Sequence, residues 1–194
     1  FPKKDLIRLI PYFLAGVLLA SVTLARETHH IVFTGIDEWS FSWAERVLMA
    51  GRALWFYWGK LLWPHPLIFI YPRWQIDPHE LWQWSYPASF LLLLAVLWLS
   101  RRRFTSGPFT ALALYAVTVF PALGFRNYFP MRYSFAADHF QYLASIAPLA
   151  LFVSLASYAV KIRSLRNALA GFALLAFTLL TWKRGPAFLS QEAL

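Results

Sequence analysis

The sequence contains one tight group of side chains able to handle protons and phosphate together. Asp138, His139 and Tyr142 follow one another within Ala137-Asp-His-Phe-Gln-Tyr142. On an α-helix, Asp138 and Tyr142 share a face with His139 beside them, so a carboxylate, an imidazole and a phenol would meet the same ligand. Asp138 also has a purely structural role open to it, because a carboxylate near a helix N-terminus accepts backbone N–H bonds and opposes the helix dipole. Arg126 and Arg132 lie just upstream, and Arg52, Lys60 and Arg73 lie in an earlier polar segment. Collectively they would make a basic lining for a phosphate, since the guanidinium fork makes paired bonds to phosphate oxygens. Singly, each suits a cation reaching for lipid headgroups equally well. His29 and His30 adjoin Glu27, and His65 and His79 lie near Asp77 and Glu80, a mixture of donors that suits zinc or manganese. No His-x-x-x-His pair is present, and no metal site is assigned. Asp37-Glu38 is an adjacent acid pair, suited to general-base work or simply to solvation.

The elements that must position these groups are set by composition. The 194 residues are 59% hydrophobic and only 14% charged, against about a quarter charged in a soluble domain. The apolar residues gather into runs near the roughly 17–25 residues that a bilayer crossing needs. An all-α integral membrane protein follows, with about five spans at 6–25, 86–100, 108–125, 141–160 and 167–182. The absence of cysteine excludes disulfide frameworks, thiolate metal sites and cysteine nucleophiles. Proline-containing pairs such as Tyr71-Pro72, Asp77-Pro78 and Tyr86-Pro87 stop helices, so 64–87 reads as an ordered loop in which Leu67–Ile70 would be extended.

Charge supplies orientation. Segments 1–8, 101–107 and 161–166 hold nine Lys and Arg against Asp5 alone, whereas 26–85, 126–140 and 183–194 hold nine against eight acids. Short cytoplasmic loops are enriched in Lys and Arg, which makes the first set internal and the second external. Strict alternation agrees if 43–63 does not cross. In that stretch Glu45, Arg46, Arg52 and Lys60 fall on one side of a helix and Val47, Leu48, Leu54, Trp55 and Leu62 on the other. It reads as an external amphipathic or re-entrant helix at headgroup depth. The alternative, a charged helix packed inside the bundle, would put the triple arginine 101–103 outside.

Two stretches resemble a known group. Arg132-Tyr-Ser-Phe-Ala-Ala-Asp-His-Phe-Gln-Tyr-Leu-Ala-Ser-Ile146 and Gly51-Arg-Ala-Leu-Trp-Phe-Tyr-Trp-Gly-Lys-Leu-Leu-Trp-Pro-His-Pro-Leu-Ile-Phe-Ile-Tyr-Pro72 are similar to bacterial multi-spanning proteins with C-terminal tetratricopeptide repeats. These look like relatives of the eukaryotic transmembrane and tetratricopeptide-repeat O-mannosyltransferases. Where that group reads roughly Ala-Glu-Arg-x-x-Tyr-Leu-Pro-Ser, this chain has Asp138 for the Glu, His139 for the Arg and Ala144 for the Pro, and it keeps Tyr142.

The resemblance implies a GT-C glycosyltransferase that passes a sugar, mannose for choice, from a polyprenyl-phosphate carrier to a protein hydroxyl on the external face. The bacterial inner membrane would be its location, lipid and lipid-linked sugar its partners, and nucleic acid not among them. It further implies that 1–182 is the C-terminal portion of the membrane domain, that the main catalytic acid lies upstream of Phe1, and that 183–194 begins a linker to external repeats. Arg132 and Arg126 would then contact the carrier phosphate, Asp138 would orient a hydroxyl, a cation or His139, and Tyr142 would pack or hydrogen-bond at the sugar. A divalent metal stays open as a cofactor, with no ligand set in the sequence to support it. Two rivals remain open: a transporter or flippase subunit, which would need ionisable groups at mid-span, and a non-catalytic scaffold for external repeats.

Overall fold

The computed structural model describes residues 3–33, 40–68, 70–103, 105–127 and 129–184. Asp37-Glu38 and the expected linker beyond residue 184 lie outside the described residues. Every regular element described is helical: α1 (Lys3–Phe33), α2 (Trp43–Leu62), α3 (Ser85–Ser100), α4 (Gly107–Val119), α5 (Ile146–Ala159) and α6 (Arg163–Arg184). Short 3₁₀ turns stand at Leu81–Trp84, Phe120–Ala122, Phe129–Arg132 and Asp138–Gln141. No strand forms at Leu67–Ile70 among the described residues.

The chain divides into two compact units, Phe1–Ser40 with Asn127–Arg132, and Phe41–Arg126 with Tyr133–Leu194. In the first, the turn Phe129–Arg132 packs on α1. Residues 7–23 of α1 are apolar for the most part and exposed throughout.

The second unit is built around α2. Ser42 caps this helix by a reciprocal pair: its hydroxyl accepts from the Glu45 N–H, and the Glu45 carboxylate accepts from the Ser42 N–H at 2.7 Å. Ala50, Ala53, Leu54 and Tyr57 then pack with Phe90 of α3 and with Leu112, Tyr115 and Val119 of α4. Close approach of α2 to α3 depends on Gly51, where a Cβ would stand 2.5 Å from the Pro87 nitrogen. Trp55 Nε1 donates to the Tyr86 carbonyl at 3.0 Å, and Tyr115 Oη donates to the Leu54 carbonyl at 2.6 Å, so both polar tips in the core are paired.

α2 packs on more than its apolar side. Ala53 is fully buried although it falls among the charged positions around the helix. The charges are accommodated by partners from elsewhere in the unit. Arg46 donates to the carbonyls of Phe41 at 3.2 Å and Gly124 at 2.8 Å, Arg52 stacks over Trp74 and Tyr86, and Lys60 donates to the Pro66 carbonyl. Helical periodicity counts each cation as a solvent-facing position, but a cation given carbonyls and aromatic faces is compatible with a packed surface.

Among the described residues, two helical stretches are long and apolar enough to cross a membrane: Leu81–Ser100, which joins the 3₁₀ turn to α3, and Arg163–Lys183 in α6. Each spans about 30 Å, the thickness of a hydrocarbon core. The expected spans at 108–125 and 141–160 are shorter as helices. Pro121 sits in the 3₁₀ turn that ends α4, and Pro148 sits in the first turn of α5, where its missing N–H is harmless. Residues 138–145 form a 3₁₀ turn followed by hydrogen-bonded turns, so α5 starts later than the expected span.

Candidate functional site

The region around Asp138 is organised by α2 and the loop that follows it. Tyr57 Oη accepts the Ala137 N–H at 3.2 Å, which anchors the backbone immediately before Asp138. Tyr71 Oη donates to Asp138 Oδ1 at 2.8 Å and lies 3.1 Å from Oδ2. The Tyr71 ring meets Phe56 edge-on at 4.8 Å, so its position is set by α2. Lys60, one turn beyond Tyr57 on the same helix, has its ammonium 5.0 Å from the Tyr71 ring centroid and 5.5 Å from that of Phe56. Burial holds the Lys60 pKa below the usual lysine range, and the negative charge of Asp138 offsets part of that effect.

Lys60 and Asp138 border a cleft of about 740 Å³. Lys60, Asp138, His139, Gln141, Tyr142 and Ser145 supply its polar lining, and Leu61, Ile68, Leu149 of α5 and Phe177 of α6 are among its apolar walls. The cleft is therefore polar at one set of residues and apolar where Leu149 and Phe177 line it.

The structure brings together four of the residues singled out from sequence: Asp138, His139, Tyr142 and Lys60. The helical-face geometry expected for Asp138 and Tyr142 is replaced by the 3₁₀ turn Asp138–Gln141, and both side chains border the cleft in that conformation. Arg52 lies about 12 Å from Lys60 along the helix axis, with its guanidinium 5.1 Å from the Trp74 ring centroid. Arg73 stacks at 4.8 Å over Phe135 and at 6.0 Å over Phe41. Neither these two nor the exposed Arg126 is among the residues bordering the cleft. Arg132 is exposed and belongs to the first unit. Among the described residues no three His, Asp or Glu side chains are grouped so as to hold a metal ion. Asp77 instead forms a local turn, its carboxylate accepting the His79 N–H at 2.9 Å.

Tyr71, Tyr57 and Gln141 are the residues that sequence reasoning passed over. Tyr71 is 67 positions from Asp138 and marked only a proline-bounded turn, so no local spacing could join the two. No protein-family model, curated protein or solved structure matches the chain.

Proposed function

We propose that this chain is the part of a membrane glycosyltransferase that holds a polyprenyl-phosphate sugar, with mannose the expected sugar and a protein hydroxyl the acceptor. The observation that carries the proposal is the cleft, in which Lys60 and Asp138 stand beside apolar walls contributed by α5 and α6. A phosphate meets Lys60, the isoprenoid chain lies along Leu149 and Phe177, and the sugar lies near Asp138, His139 and Tyr142. The leaving group in such a transfer is a lipid phosphate, and a cation beside it lowers the barrier by stabilising the developing charge. Asp138, held by Tyr71, acts as a positioning group for a hydroxyl or for His139. The resemblance also implies phosphate contacts for Arg126 and Arg132, which do not border this cleft, and Arg52 and Arg73 are taken as cations near the membrane surface.

The membrane setting is supported by how the apolar helices treat their hydroxyls. Ser21, Thr23, Thr110, Thr118, Ser154, Thr178 and Thr181 each donate to the carbonyl four residues back, at 2.7–3.0 Å. In hydrocarbon a hydroxyl must find such an internal acceptor, and exposed apolar side chains cost nothing there. We read residues 7–23 of α1, and α4 and α5, as further and shorter membrane segments. Residues 26–85 and 126–140 then face outward and the arginine turn 101–103 faces inward.

Transfer of radiolabelled mannose from polyprenyl-phosphate-mannose to an acceptor protein tests the proposal, using membranes that carry the full polypeptide. Lys60→Met is expected to raise KM for the lipid donor at least tenfold, and Arg132→Ala to reduce turnover. Wild-type membranes that transfer no sugar above background would remove the glycosyltransferase reading.

A further inference from the structure

One residue that borders the cleft carries an unsatisfied polar atom. Gln141 is 8% exposed and borders the cleft, yet its Oε1 makes no hydrogen bond among the described residues. Native folds rarely leave a buried amide oxygen without a donor, because it has given up water and gained nothing in exchange.

The backbone around Gln141 is well held: its carbonyl accepts the Ser145 N–H at 2.7 Å, and the residue closes the 3₁₀ turn that starts at Asp138. Gln141 and Asp138 thus border the same cleft from the two ends of one 3₁₀ turn. Two acceptors three residues apart call for a ligand with O–H donors, and Lys60 in the same cleft calls for an anionic oxygen. The last torsion of glutamine is broad and two-fold, so a rotation of the amide turns Oε1 towards an arriving hydroxyl.

We infer that Gln141 Oε1 accepts a hydrogen bond from one hydroxyl of the sugar on the lipid phosphate, which makes Gln141 a specificity-determining residue of the cleft. This rests on the glycosyltransferase reading above. Discrimination has a stated source: a sugar without that hydroxyl leaves the amide unpaired in the bound state, whereas the correct sugar pairs it.

The test measures binding to the full polypeptide in lipid nanodiscs with three probes: polyprenyl phosphate, polyprenyl-phosphate-mannose, and the series of monodeoxy-mannose versions of the latter. Gln141→Leu is expected to weaken the mannose lipid about tenfold, as for one lost hydrogen bond, and to leave polyprenyl phosphate unchanged. One deoxy analogue should lose the same factor on the wild-type protein and nothing further on Gln141→Leu, because the two changes remove one interaction. Retained polyprenyl phosphate binding certifies that the variant is folded, and Gln141→Met serves in its place if it is not. Equal binding of the mannose lipid by wild type and variant overturns the inference, as does a deoxy series with no weakened member. If the wild-type protein fails to bind even polyprenyl phosphate, the glycosyltransferase reading itself fails and the inference falls with it.

Discussion

Replacing Tyr71 with phenylalanine removes one oxygen and keeps the ring that packs on Phe56 at 4.8 Å. The lost hydroxyl is the donor 2.8 Å from Asp138 Oδ1, in a setting where Tyr71 is 5% exposed. A hydrogen bond to a charged group contributes about 1.5–3 kcal/mol, and a neutral one about 0.5–1.5 kcal/mol. Tyr71→Phe is therefore expected to destabilise the protein by about 1.5–3 kcal/mol. In an Asp138→Asn background, where the acceptor is a neutral amide oxygen, the same change should cost about 0.5–1.5 kcal/mol. The assay is reversible denaturant unfolding in mixed micelles of wild type, both single variants and the double variant, followed by tryptophan emission. The coupling isolates the interaction because the two residues touch while Phe retains the packing. Equal costs of Tyr71→Phe in the two backgrounds would refute the claim that this hydroxyl holds the Asp138 carboxylate.

Gly51→Ala places a Cβ 2.5 Å from backbone atoms of Pro87 that have no flexible end to swing away. It is expected to cost about 1–3 kcal/mol by forcing α2 from α3, measured by the same unfolding assay. Asp138→Asn removes the charge that raises the Lys60 pKa while burial continues to lower it. The ammonium then deprotonates at lower pH, so the alkaline limb of lipid-phosphate binding should shift to lower pH; an unshifted limb would show that Asp138 does not act on Lys60. The chain has no native cysteine, so single-cysteine labelling reads orientation cleanly. With a membrane-impermeant reagent in intact cells, His79→Cys should be labelled and Arg102→Cys spared, and the reverse pattern would invert the proposed topology.

Helix bounds were legible where proline or charge bracketed an apolar run. The stretch 43–63 became α2 at Trp43–Leu62, 86–100 became α3 at Ser85–Ser100, and 167–182 lies within α6 at Arg163–Arg184. The apolar run at 141–160 reads as one span, yet α5 starts only at Ile146. The part of the site on one segment was also legible, since Asp138, His139 and Tyr142 are neighbours in the chain. Its other half was not. Arg46 finds Gly124 across 78 positions and Tyr57 finds Ala137 across 80, and no periodicity records such pairings. For the same reason five cations of similar appearance could not be sorted: Arg52 and Arg73 stack on Trp74 and Phe135, while Lys60 borders the cleft.

The central claim is that the Lys60–Asp138 cleft receives a lipid phosphate with its chain along α5 and α6. Photocrosslinking with a polyprenyl phosphate carrying a diazirine on its first isoprene units, followed by peptide mapping, tests it most directly. Adducts are expected in 64–68, near Leu149 and near Phe177, all reduced severalfold by Lys60→Met. Adducts confined to the exposed apolar surfaces of α1 and α3, indifferent to Lys60, would contradict it.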